Sequence, residues 1–591
     1  MIVAAAGDMV RRRAIGAEVD GDGVDFRVWA PRRQSVRVVI DGVEHALERE
    51  PSGHFHGFVA GAGAGTRYRF RLDDERETYP DPASRFQPEG PHGPSEVIDP
   101  SRYRWVSSQP AAPAVIYEIH IGTFTQEGTW RAAIDKLPHL RDAGVTLIEV
   151  MPVAEFPGRF GWGYDGVDLW APTHLYGSPD DFRAFVDAAH GHGLGVILDV
   201  VYNHFGPDGN YVSQYSSTYF TDKYVNEWGA AINFDGEGAD GVREFVAENA
   251  AYWIDEYRLD GLRLDATQSI HDDSAEHVIA AITRAARAAA GERSIVVVGE
   301  NEGQNVQLIA EYGVDALWND DWHHAAMVAA TGMREAYYTD YFGAPQEFVS
   351  MANNGFLYQG QRYSWQKHRR GSSSRGLPRE RLVCYLQNHD QIANSQRGER
   401  IQFLTSPGRH RALTALLLLG PNVPMLFQGQ EFAASAPFVY FADHKPELAD
   451  AVADGRREFL RQFPSIAGDG VARPGDPETF ARCKLDWSER ESHAGDLALH
   501  RELLRLRRPA THVDGAVLGA HAFVLRFTPE RLLLVNLGDV LHLDVVPEPL
   551  LAPPPGRRWQ LVWSSEPVAE VEDADGRWTL PAESAVVMEP E

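Results

Sequence analysis

The segment Gly261-Leu-Arg-Leu-Asp265 sets Arg263 and Asp265 two residues apart in a short apolar run. In an extended chain such residues point the same way, so this acid and base share one face. Burying them is costly unless they are paired or used. Taken alone, the pair reads equally as a structural ion pair or as part of a reactive site. Similar polar groups close other apolar runs: Asp199-Val-Val-Tyr-Asn-His204, Gly299-Glu-Asn301, Asn319-Asp-Asp-Trp-His-His324, Gln387-Asn-His-Asp390 and Gln428-Gly-Gln-Glu431. A single site is a more economical account of them than unrelated ion pairs.

Their composition restricts the chemistry. The sequence carries no Gly-rich phosphate loop after a strand, no Ser or Cys nucleophile beside a base, and no thiolate metal spacing. Carboxylates, His, Arg and aromatics remain. Cleaving a glycosidic bond needs one carboxyl kept protonated and one kept ionised. Asp265, beside Arg263, suits the ionised nucleophile. Glu300 follows the apolar run Ile295–Val298, a setting that raises a carboxyl pKa and suits a general acid. Asp390 is a third carboxylate, placed to hold sugar hydroxyls and stabilise positive charge at the reacting carbon. Asn203 with nearby Asp residues reads as a hydrogen-bonded loop rather than a calcium site, and neither metal nor cofactor is expected.

The elements that would position these groups form a regular series. From about residue 114, apolar strands alternate with amphipathic helices: Val115–Ile121, Leu147–Val153, Val196–Tyr202, Gly261–Ala266, Ile295–Gly299, Ala316–Trp318, Leu382–Leu386 and Pro424–Phe427. Continuous apolar character marks strands buried on both faces of a parallel sheet. Eight of them predict an α/β fold, a (β/α)8 TIM barrel, whose active site lies at the C-terminal strand ends. Helix signals agree: Ser178-Pro179 with Asp181 opens one helix, and Gly291 closes another that starts near His277. Before residue 108, period-two segments such as Val24–Ala30, Ser35–Ile40 and Thr66–Leu72 predict a β-sandwich, joined through a Pro-rich linker. After residue 500, Ala522–Phe527, Arg531–Leu537, Trp559–Trp563 and Ala585–Met588 predict a second one. The expected units are 1–108, 109–500 and 501–591. The charge-rich run His368–Arg375 reads as a mobile solvated loop.

With 56 basic and 84 acidic side chains the formal charge is −28, which argues against nucleic acid or an anionic membrane as partner. A neutral substrate suits it better. The 14 Trp, 21 Tyr and 27 Phe supply flat faces of the kind that stack on sugars. The longest apolar stretch, Ala412–Phe427, is broken by Gly420, Pro421 and Pro424, so it is no membrane span. At the N-terminus the charges of Arg11–Arg13 follow a short apolar patch, the wrong order for a signal peptide. Only Cys384 and Cys483 occur, and neither lies in a redox spacing. The expected location is the cytoplasm.

The strings DVVYNH, GLRLDAT, GEN and QNHD, in that order, resemble the α-amylase superfamily of retaining α-glycosidases. The resemblance implies Asp265 as nucleophile, Glu300 as acid/base and Asp390 as transition-state stabiliser. It also implies sugar contacts by Arg263, His204 and His389, with Tyr164 of Gly161-Trp-Gly-Tyr-Asp165 stacking on the same ring. Within that superfamily nearly the whole chain resembles the malto-oligosyltrehalose trehalohydrolase family, through Tyr117–Phe124, Asn319–His324, Gln387–Gln391, Gly429–Pro437 and Phe441–His444. This implies hydrolysis of the α-1,4 bond next to the trehalose end of maltooligosyl trehalose, in sequence with a maltooligosyl trehalose synthase. Glucan branching enzymes, which typically read SHDE where this chain has Asn388 and Gln391, are the alternative, as is a non-catalytic glucan-binding protein. Asp321, Trp322 and His323 are expected to touch substrate. Trp228 reads either as a stacking platform for the trehalose end or as a packing residue, and Glu431 as a brace for the eighth loop.

Overall fold

The computed structural model describes residues 11–110, 115–395, 397–466, 470–544 and 546–591. Residues 1–10, which enter the expectation about a signal peptide, lie outside them. Eight short strands close a parallel barrel: β1 (Ile116–Ile119), β2 (Leu147–Val150), β3 (Gly195–Val200), β4 (Gly261–Leu264), β5 (Val296–Gly299), β6 (Ala316–Trp318), β7 (Leu382–Tyr385) and β8 (Val423–Phe427). Each pairs with the next in sequence, and β8 returns to β1. Six of the eight are buried at every residue, which is why they read as unbroken apolar runs. Inside the barrel Ile116, Leu147, Ile197, Val298, Val383 and Met425 form an apolar plug. The polar groups are therefore confined to the strand ends above it. Gly261 opens β4 because no side chain fits: a Cβ there would lie 1.8 Å from the Val296 carbonyl oxygen.

Helices α1 (Pro179–Gly191), α2 (Ala239–Glu256) and α3 (Val278–Ala290) cover successive strands. The Ser178 hydroxyl accepts from the Asp181 amide, and Asp181 accepts from the Ser178 amide, so two otherwise orphaned donors at the start of α1 are satisfied. The excursions between elements gather above the barrel. A hairpin of Phe220–Asn226 and Gly229–Ile232 follows β3, and after β6 come α4 (Asp320–Thr331) and a hairpin of Gln361–Tyr363 with His368–Arg370. The run His368–Arg375 is thus not simply a solvated loop. Arg370 is 1% exposed, faces Asp320 and Asp321 at 3.7 and 3.5 Å, and lies over the Tyr363 ring. Its anionic partners come from α4, so the local charge density gave no sign of its burial.

Before the barrel, two four-stranded sheets pack face to face around Val24, Phe26, Val38, Phe55, Tyr68 and Phe70. After it, a five-stranded antiparallel sheet packs against a two-stranded one around Val524, Leu534, Trp559 and Trp578. The helix Ala494–Leu506 runs across residue 500, and the first strand of the C-terminal sheet starts at His512.

One buried carboxylate ties the linker to the barrel. Glu256, at the end of α2, accepts from Arg85 of the linker at 3.0 Å and from Arg183 of α1 at 2.9 Å, and all three are buried. Glu256→Gln leaves the buried Arg85 without its ion-pair partner and Arg183 with Asp180 alone, a loss of about 3–5 kcal/mol. A thermal midpoint lower by several degrees is expected, measurable by differential scanning calorimetry.

Candidate active site

The alternation of β4 turns Arg263 into the barrel mouth, with Leu262 and Leu264 in the surrounding core. The guanidinium is 1% exposed and lies over the Trp318 ring at 4.2 Å. Nη1 donates to both Asp199 oxygens at 2.8 and 2.7 Å and to Asp265 Oδ1 at 2.7 Å. Nη2 lies 2.8 Å from Glu300 Oε2. Burial opposes the positive charge, but Asp199 and Glu300 outweigh it and hold the arginine above its ordinary pKa. Three carboxylates from β3, β4 and β5 thus share one cation.

The two oxygens of Asp265 are fixed separately. Arg263 holds Oδ1, while Asn203 Nδ2 donates to Oδ2 at 2.7 Å and to the Asp265 carbonyl at 3.0 Å. Asn203 Oδ1 in turn meets His204 Nδ1. Asn203 is therefore engaged in hydrogen bonds, as its sequence context suggested. The residue after Asp265 takes a left-handed turn: Ala266 has φ 38° and ψ 52°, a conformation costing about 1–2 kcal/mol. That turn aims the Ala266 N–H at Glu300 Oε2, 2.8 Å away. Glu300 is also anchored through its carbonyl, which accepts from Thr267 N at 3.0 Å. Asn301 donates to the Thr267 hydroxyl at 2.9 Å.

Electrostatics separate the carboxyls. Burial pushes Glu300 up to about 8; Arg263 opposes the shift and Asp265 adds to it. Burial likewise raises Asp199 to about 6 against the pull of Arg263. Tyr164 donates to Asp199 Oδ2 at 2.6 Å, meets His389 Nε2 at 3.0 Å and stacks on that imidazole at 5.3 Å between ring centres. The His389 backbone N–H donates to Glu118 Oε2 at 3.1 Å, and its Nδ1 meets Glu118 Oε1. Burial works against the imidazolium, yet Glu118 outweighs it and raises the His389 pKa. Asp390 sits in the first turn of the short helix α5 (His389–Ala393), which Asn388 caps by accepting from Gln391 N at 2.8 Å.

This arrangement joins Tyr164, Asp199, His204, Arg263, Asp265, Glu300 and His389 in one connected cluster, with Asp390 next to His389. Trp228 stands on the hairpin after β3, 47% exposed and 5.7 Å from the His204 ring, so it is not a packing residue beneath a loop. Three expected substrate contacts lie elsewhere. Asp321 is fully buried and accepts from Tyr341 OH and from the Leu357 and Tyr358 amides, the latter two at 2.8 Å. Trp322 packs near Phe348, and His323 bonds Leu386 O and Tyr338 OH. Ala316 and Trp318 face inward, but α4 begins directly after them, and its first turn sets Asp320 beside Tyr385 OH while Asp321 is fully buried. A period-two count along the strands themselves would have found Glu118 on β1 and Glu149 on β2. Burial and Glu118 push Glu149 well above the usual carboxylate range. Glu431 braces the eighth strand end between Tyr117 OH and His139 Nε2, both at 2.8 Å. Among the described residues no group of three or more His, Cys, Asp or Glu is arranged to hold a metal ion.

Known proteins share this frame. Residues 83–237 match the α-amylase catalytic domain, and residues 14–97 match carbohydrate-binding module 48, the isoamylase N-terminal domain. A malto-oligosyltrehalose trehalohydrolase of Deinococcus radiodurans is 41% identical over 539 residues, 88% of each chain. That of Saccharolobus solfataricus is 39% identical over 83% of this chain and 86% of its own. The chain belongs to the malto-oligosyltrehalose trehalohydrolase family. A crystal structure described as a putative α-amylase from Salmonella typhimurium superposes with a TM-score of 0.88 at 39% identity, covering 97% of this chain and 99% of the other. The α-amylase-type barrel is thus shared with this relative almost end to end.

The shifted pKa of Glu300 has a direct signature. One carboxyl of the wild-type protein is expected to titrate near pH 8, giving a protonated C=O infrared band below that pH. In Glu300→Gln this band is expected to be missing.

Proposed function

We propose that the cleft hydrolyses the α-1,4 bond adjoining the trehalose end of maltooligosyl trehalose, releasing trehalose and a malto-oligosaccharide with retention at the anomeric carbon. The observation that carries the reading is the asymmetry on Arg263: two carboxyls on neighbouring strand ends touch one guanidinium, yet burial holds Glu300 protonated to about pH 8. Family membership supplies the substrate class.

In the first step the Glu300 proton passes to the glycosidic oxygen as the bond to the anomeric carbon breaks. Trehalose leaves while Asp265 Oδ attacks that carbon from the opposite face and forms a covalent glycosyl ester. In the second step Glu300, now a carboxylate, takes a proton from water, and the resulting hydroxyl displaces Asp265. The proton, the water and both carboxyls are restored at the end of the cycle. Asp390 binds hydroxyls of the reacting ring and stabilises its positive charge. His204, His389 and Arg263 contact the same ring, and Tyr164 stacks on it. Trp228 stacks on the trehalose end of the substrate. The N-terminal sandwich matching a carbohydrate-binding module suits a glucan partner. An enzyme that converts the reducing end of an α-1,4-glucan to an α,α-1,1 linkage, a maltooligosyl trehalose synthase, must supply the substrate. Two free, buried cysteines suit a reducing compartment such as the cytoplasm. No helix among the described residues is long and apolar enough to cross a membrane.

Incubation with maltooligosyl trehalose is expected to yield free trehalose by chromatography; new α-1,6 branches without trehalose would favour the branching reading. Glu300→Gln is expected to lower turnover by about 10²–10⁴-fold, and Asp265→Ala to abolish it, with unfolding curves close to wild type. In the wild type kcat/KM is expected to fall tenfold per unit above about pH 8, because the proton donor is lost there. Trp228→Ala removes an exposed stacking face and is expected to weaken kcat/KM by about 2- to 10-fold, with no change in melting.

A further inference from the structure

We infer that Asp320 binds the leaving-group sugar, accepting hydrogen bonds from its hydroxyls on the side of the cleft that Glu300 serves. The inference rests on the hydrolase reading above and adds a residue that the sequence pattern passed over for its neighbour Asp321.

The geometry starts from the pairing of β5 with β6. Val298 lies opposite Ala316 and Gly299 opposite Leu317. Continuing that register sets Glu300 level with Trp318; Asp320 opens α4 two residues later, near enough to Glu300 for its charge to raise that carboxyl. Asp265 lies on the other side of Glu300, on β4. A general acid protonates the oxygen that leaves with the departing sugar, so that sugar lies on the acid's side of the broken bond. Asp320 stands on this side.

Its bonding is incomplete in a way that its neighbour's is not. Asp321 is fully buried and takes one hydroxyl and two amide donors. The Asp320 side chain is 16% exposed. Tyr385 OH donates to Oδ1, while Arg370 approaches Oδ2 only to 3.7 Å, beyond hydrogen-bond reach. A carboxylate offers about four lone-pair sites, so acceptor capacity is left on a side chain that is still partly exposed. Burial raises Asp320 to about 6, against the pull of Arg370, so it is ionised over the range where Glu300 is still protonated. In a cleft for a neutral substrate, sugar hydroxyls are the donors suited to such an anion.

The test compares leaving groups in the full-length chain. Asp320→Asn keeps an oxygen for Tyr385 and removes the charge. With maltooligosyl trehalose, kcat/KM is expected to fall roughly 10- to 100-fold, and inhibition by added trehalose to weaken about as much. With α-maltosyl fluoride, whose leaving group carries no sugar, turnover is expected to stay within about 3-fold of wild type. Should the Asn variant melt early, Asp320→Ser is compared across the same two substrates. Equal losses on both substrates, or unchanged trehalose inhibition, would overturn the proposal while the hydrolase reading stands. A wild-type protein that frees no trehalose would overturn both.

Discussion

A guanidinium removed from water must find anions or lose its place, and Arg263 finds three. Asp199, Asp265 and Glu300 come from three consecutive strands and converge on its two terminal nitrogens, while Trp318 covers one face of the plane. The pairing is more than compensation for burial. It fixes the lateral spacing of three strand ends and so sets the distance between the carboxyls above them. A Lys, with one compact charge on a flexible stem, has no fork with which to span the same oxygens.

The barrel makes this bonding possible by separating its interior into tiers. Below, the apolar plug closes the floor; above, Glu118, Glu149, Asp199, Arg263 and His389 form a polar tier beneath the cleft. So many acids cannot all be ionised around an arginine and an imidazolium. The shifts record the resolution: Glu149 and Glu300 are pushed strongly toward their neutral forms, and Asp199 moderately. The proton held by Glu300 follows from crowding of carboxyls in a dry barrel as much as from contact with any one neighbour.

Much of this was legible in the sequence. All eight barrel strands, the caps at Ser178 and Gly291, and the polar residues ending β3, β4, β5 and β7 follow from apolar runs and turn residues. Two features escaped for opposite reasons. At the end of β6 the polar cluster reads as a block, whereas the first turn of α4 leaves Asp320 partly exposed beside Tyr385 and buries Asp321 in the core. In His368–Arg375 the composition was read correctly as charged, but the partners of Arg370 lie on α4, far away in the sequence. Periodicity within an element is visible in a sequence; pairing between remote charges is visible only once the fold brings them together.

In the proposed cycle, the sharing of Arg263 also carries Glu300 through its change of role. In the resting cleft the Asp265 charge lies close enough to raise the Glu300 pKa, and Arg263 divides its attraction among three carboxylates. In that proposed cycle the sugar esterifies Asp265, and its charge is gone. The repulsion on Glu300 then vanishes, and the attraction of Arg263 is left for Asp199 and Glu300. Both changes lower the Glu300 pKa, at the moment when the carboxyl must stop giving a proton and start taking one from water. Hydrolysis of the ester restores the charge on Asp265, and the same two terms return Glu300 to its protonated form.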